Sequence, residues 1–144
     1  MYKLLLFISA AALLAGCQSS PKVSESLGHF FGGYQTLTEP EVRTLFVGNT
    51  VESHNRNTRL NSITYYHPNG QAIQKRLWSQ RLGKWAIEDD GKICLAFGNR
   101  SMKCRHIVKD DGRYFKVLPD SEGTPEKIVR YRYFANGNLL QNGS

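Results

Sequence analysis

The chain has 144 residues, enough for one ordinary domain and too few for several. A hydrophobic content of 40% with 11% aromatics excludes a disordered tail. Nineteen basic against 12 acidic residues give a formal charge of +7, so the surface favours anionic partners over cationic ones.

The first 16 residues read as an export signal. Lys3 supplies a positive start, residues 4–14 form an apolar run too short to span a bilayer, and small residues follow. The run ends Leu14-Ala15-Gly16-Cys17, which resembles the lipobox of bacterial lipoproteins. That resemblance implies that Cys17 is the lipidated first residue of the mature chain. Removing residues 1–16 takes away one basic residue, Lys3, and the remaining 18 basic against 12 acidic residues leave +6. Gln18 stands where aspartate retains enterobacterial lipoproteins in the inner membrane, and by analogy it implies a periplasm-facing outer-membrane anchor. In that location phospholipid head groups or lipopolysaccharide are better matched to the charge than nucleic acid.

Residues 18–26 are polar and serine-rich, and the predicted tether covers 17–36. Within it Phe30, Phe31 and Tyr34 stand among Gly28, Gly32 and Gly33 without a regular pattern. A single domain is expected over 37–144. It opens with a short helix, for which Thr38 caps, Glu41 completes a capping box and Pro40 fits the first turn. Val42, Leu45 and Phe46 share one helical face, and Gly48 ends the element. Predicted strands follow at 49–54, 59–67, 72–79, 82–88, 92–97, 102–108, 113–118 and 127–134, with a further one at 138–141 left open. Asn69-Gly70, Asp90-Gly91, Gly98-Asn99, Asp111-Gly112 and Asn136-Gly137 supply the turns between them. About eight short strands at this spacing predict an all-β antiparallel meander, a small barrel or curled sandwich. Alternation puts Val129, Tyr131 and Tyr133 on one face opposite Arg130 and Arg132. It puts Trp85 with Ile87, and Phe115 with Val117.

Cys94 and Cys104 are an even pair in an exported chain. A hairpin centred on Asn99 sets them opposite each other, which predicts a structural disulfide. His29, His54, His67 and His106 show no metal-ligand spacing, so no metal is expected. Asp89-Asp90 and Asp110-Asp111 precede glycine as turns require, and no serine has a nucleophile context. No catalytic residue and no cofactor is therefore expected. Lys75, Arg76, Arg81, Lys84, Lys103, Arg105, Arg130 and Arg132 lie on neighbouring strands as a candidate basic face. Trp78, Trp85, Tyr131 and Tyr133 interleave with them, as on a nucleic-acid platform, though a half-solvated sheet shows the same pattern.

The succession of a helix, Gly48-Asn49-Thr50, Gly83-Lys84-Trp85 and a Cys94/Cys104 pair resembles a family of small uncharacterised proteobacterial periplasmic proteins. The resemblance implies an exported all-β domain and little about activity. The expected function is a non-catalytic binding or interaction module anchored through its N-terminal lipid, with an anionic envelope component or a protein as partner. Inhibition of an invading hydrolase such as lysozyme is an alternative, weakened because both molecules would be basic. An enzyme whose site assembles from separate strands is another.

Overall fold

The structure, a computed structural model, describes residues 30–31, 33–119 and 125–141. Cys17 and its flanking signal and tether, and His29, lie outside them. The elements in chain order are β1 (Phe30–Phe31), β2 (Tyr34–Thr36), α1 (Glu39–Phe46), β3 (Asn49–Asn55), β4 (Asn61–Tyr66) and β5 (Gln71–Arg76). After them come β6 (Ser79–Ile87), β7 (Ile93–Phe97), β8 (Lys103–Arg105), β9 (Ile107–Asp110), β10 (Arg113–Pro119) and β11 (Pro125–Asn136). The segment expected at 102–108 breaks at His106 into β8 and β9. Two further strands come from the aromatic and glycine stretch, so the sheet extends into residues that the sequence places in the tether. Residues 138–141 are not a strand, and the Leu139 N–H donates instead to Thr50 Oγ1 at 3.0 Å.

All strands belong to one antiparallel sheet in the order β1-β2-β9-β10-β11-β3-β4-β5-β6-β7-β8. From β9 round to β8 each neighbour in space is also a neighbour in sequence, apart from the β11–β3 pairing. A single residue, His106, separates β8 from β9. The chain itself therefore joins the two ends of that run, and the Val117 N–H donates to the His106 carbonyl at 3.1 Å on the β10 side. Counting β8 and β9 as one bent strand gives a curl of eight strands. β1 and β8 remain the terminal strands of the sheet, and the joint at His106 curls it on itself.

Helix α1 fills one end of the curl. The Thr38 N–H donates to Glu41 Oε2 at 2.8 Å, which completes the capping contact read from the sequence. At the other end Gly48 adopts φ +71°, and the Asn49 side-chain amide donates to the Thr44 and Leu45 carbonyls at 3.2 and 3.0 Å. Val42 and Phe46 are fully buried with Val51, Ala72, Trp85, Ile93 and Ile107. The Phe46 ring meets Tyr66, Tyr131 and Phe134 edge-on at 5.0, 5.1 and 5.6 Å. Gly91 sits beneath this end because a side chain there would strike the Leu37 carbonyl.

Two features depart from simple alternation. A β-bulge in β11 sets Tyr131 opposite Ser53 and Tyr133 opposite Glu52. The expected common face of Val129, Tyr131 and Tyr133 therefore breaks: Tyr133 is 59% exposed and Phe134 packs inward in its place. Phe115 and Val117 do share a buried face, but with Val108 and Tyr34 in a second, smaller core outside the curl. Strand β2 covers it by pairing with β9, and the Lys127 ammonium lies over the Tyr34 and Phe115 rings at 4.3 and 4.8 Å while pairing with Asp110.

Candidate functional site: a cationic lumen

Among the described residues the end of the curl opposite α1 is open. A cavity of about 350 Å³ lies there, in the size range of small-molecule sites, and all eight strands of the curl contribute to its wall. The strand geometry explains this directly. Inward positions run from core to cavity along each strand: Ala72, Gln74, Arg76 on β5; Trp85 back to Arg81 on β6; Ile93, Leu95, Phe97 on β7. Gly83 is the inward residue between Arg81 and Trp85, and a side chain there would collide with the Ala96 carbonyl and the Phe97 ring. Its absence lets Phe97 lie flat in the wall, with the Arg81 guanidinium 4.2 Å from the ring centre.

Five cations reach this lumen: Arg76, Arg81, Lys103, Arg105 and Lys116. Among the described residues the lining contains no carboxylate, histidine or cysteine. Arg81 donates twice to Gln74 Oε1, at 2.9 and 2.5 Å, and the Gln74 amide donates to Thr64 Oγ1 at 2.9 Å. That chain holds the guanidinium in place without neutralising it. Burial, then the neighbouring Arg76 and Arg100, pull the Arg81 guanidinium below its ordinary value. Lys116 is half-buried on β10, and burial, followed by the charge of Arg105, lowers its ammonium from 10.5 to about 8. Deeper in, Tyr131 is only 4% exposed and its hydroxyl makes no hydrogen bond. A buried hydroxyl without a partner is rare in folded proteins. Leu60, Leu95, Leu118, Ile128 and Val129 supply apolar wall between the polar groups.

The eight basic residues singled out in the sequence do not form one face. Arg76, Arg81, Lys103 and Arg105 point into the lumen. Lys75 and Lys84 alternate to the outside of β5 and β6. Arg130 and Arg132 line an outer groove with His54, Arg56 and Arg59, where Arg132 approaches Glu52 at 3.8 Å. The aromatic platform does not form either: Trp85 and Tyr131 are in the core, whereas Trp78 and Tyr133 are exposed. His67 accepts the Trp85 indole N–H through its carbonyl at 2.8 Å, and His106 marks the bend between β8 and β9.

The sequence marks Tyr131 only as a patterned aromatic and does not mark Lys116. Phe115 and Val117 point to the opposite face of β10, and the Tyr114, Lys116, Leu118 alternation on the other side is the signal that locates Lys116. Cys94 and Cys104 are directly paired across β7 and β8 and form a disulfide. Glu88 lies close to both sulfurs, but sulfurs bonded to each other offer no thiolate to a metal. Comparison with protein-family models, curated proteins and solved structures finds no match.

Proposed function

We propose that the protein is a lipid-anchored, periplasm-facing binding module that holds a small organic anion in the lumen of its barrel. The observation that carries this reading is the lumen itself: five cations and an unpartnered buried tyrosine hydroxyl converge with no carboxylate among the described lining residues. Uncompensated like charges in a partly enclosed space cost folding free energy, and an anion relieves that cost. The leucine, isoleucine and phenylalanine wall favours a ligand that carries an apolar part beside its charge.

Calorimetric titration of the full chain with hexyl phosphate, inorganic phosphate and hexanol tests the reading. Hexyl phosphate should bind about tenfold or more tighter than inorganic phosphate, because its chain buries apolar surface, and hexanol should not bind measurably. Replacing Arg105 with Gln should weaken hexyl phosphate by about tenfold or more, the loss expected for a charge-assisted contact. Equal, weak heats for all three ligands would remove the proposal.

A further inference from the structure

The rim of the lumen carries a feature that neither folding nor lumen binding explains. Strands β5 and β6 are joined by a two-residue turn, Leu77-Trp78, between the paired Arg76 and Ser79. Leu77 has φ +48°, in the left-handed region that suits asparagine or glycine and penalises a leucine. Leu77 is 65% exposed and Trp78 is 98% exposed. Two large apolar side chains thus stand in water, one of them on a strained backbone, where Asn-Gly would make a better hairpin.

The surroundings of this tip are basic. Arg76 and Arg81 flank it on the lumen side. On the outer side Leu77 shares a shallow depression with Lys75, Ile63 and Glu52. Exposed Leu82 lies beside Lys84, Arg100 and Met102. Glu52 is the one carboxylate in these groupings, and it faces Arg132. Exposed leucine and tryptophan ringed by lysine and arginine match a lipid–water interface in both parts. Tryptophan settles at head-group depth, leucine enters the acyl boundary, and the cations meet anionic head groups.

We propose that the β5–β6 hairpin is a membrane-contact element. Leu77 and Trp78 enter an anionic lipid surface, and Lys75 and Arg76, which border the turn, engage its head groups, with the mouth of the lumen held against that surface. This inference does not require an anion in the lumen, because the hairpin can dock whether or not the cavity is occupied; Arg76 is the residue that both readings use.

The chain contains its own reporter. It has two tryptophans, and Trp85 is buried with its indole N–H bonded, so changes in emission on meeting lipid belong to Trp78. The full chain is reconstituted into phosphatidylglycerol vesicles and, separately, into phosphatidylcholine vesicles, with brominated acyl chains as quenchers. In phosphatidylglycerol the emission should move to the blue and lose intensity to the bromine. In phosphatidylcholine both effects should be small. Leu77→Asn suits the turn and leaves the reporter in place, so it should fold and show less quenching. Unshifted, unquenched emission in phosphatidylglycerol overturns the proposal and leaves the tip to a protein partner. Quenching that survives undiminished in Lys75→Glu with Arg76→Glu also overturns it, since the cations would then play no part.

Discussion

At the residue scale, Tyr131 and Lys116 are held in states that a fold selected for stability alone would avoid. The Tyr131 hydroxyl is buried without a partner, which costs about 1–3 kcal/mol. Removing it in Tyr131→Phe should therefore leave thermal stability unchanged or raise the melting temperature by a few degrees. The same change should weaken hexyl phosphate binding by about tenfold, the value of one hydrogen bond to a charged acceptor. Scanning calorimetry and titration on one preparation check both halves; a destabilised variant with full binding would contradict them. Lys116 makes a prediction about pH. Its ammonium is lowered to about 8, so it is charged at pH 7 and neutral above about 8 in the empty lumen. Binding of an anion with fixed charge, hexyl sulfate, should weaken as pH rises past 8, approaching about tenfold per unit. Lys116→Arg should remove that dependence. The stability sign is opposite to that of a paired lysine. The folded value lies below the unfolded one, so the penalty of the buried charge is fully present below pH 8. It is relieved as pH climbs from about 8 toward 10.5.

At the element scale, the disulfide ties down a strand that carries two lumen cations, and the bulge decides which side chains of β11 face inward. Strand β8 has three residues, and two of them, Lys103 and Arg105, are lumen cations. Its middle residue, Cys104, is tied to Cys94. The closed loop is short, with a sequence separation of 10, so Cys94→Ser with Cys104→Ser should lower stability by roughly 2–3 kcal/mol in denaturant titration. Lys103 and Arg105 remain paired with Leu95 and Ile93 through the ladder. The folded double variant should therefore bind hexyl phosphate within a factor of about three of the parent, less than the loss of one hydrogen bond. A folded variant that no longer binds would show that the disulfide positions the cations. The bulge in β11 works through register. Its extra residue turns Tyr133 outward and Phe134 toward Phe46 while leaving Tyr131 facing the lumen. The helix cap, the Asp-Gly and Asn-Gly turns and the Cys94–Cys104 register are all local or nearest-neighbour features. For that reason they could be read directly from residue types and spacing.

At the scale of the whole molecule, one end of the barrel is filled and the other is open. The filled end holds α1 and the aromatic cluster around Phe46; the open end holds the cations and presents Leu77 and Trp78 at its rim. Lipid attachment through Cys17 would hold the domain near a membrane. Cys17→Ala should therefore release the protein from the membrane fraction and abolish incorporation of radioactive fatty acid. Continued labelling of the variant would contradict the anchor. Among the described residues no helix is long and apolar enough to cross a membrane, so the described part supplies no helical span in its place.

The sequence by itself determined the all-β class, the capped helix, the turns and the cysteine pairing. Each depends on backbone preferences or on residues brought together by one hairpin. It also marked the basic residues as candidates, but could not sort them. Period-two alternation divides a strand into two faces without saying which face is concave. In β10 both faces carry apolar residues, Tyr114 and Leu118 on one and Phe115 and Val117 on the other. Only the curl of the sheet decided that Lys116 faces a cavity and that Phe115 lies under β2. The same closure gathered Arg76, Arg81, Lys103 and Arg105 inside and sent Lys75, Lys84, Arg130 and Arg132 outside. It did so because β8 and β9, at opposite ends of the run that forms the curl, are joined by a single residue, a long-range constraint that no local pattern encodes.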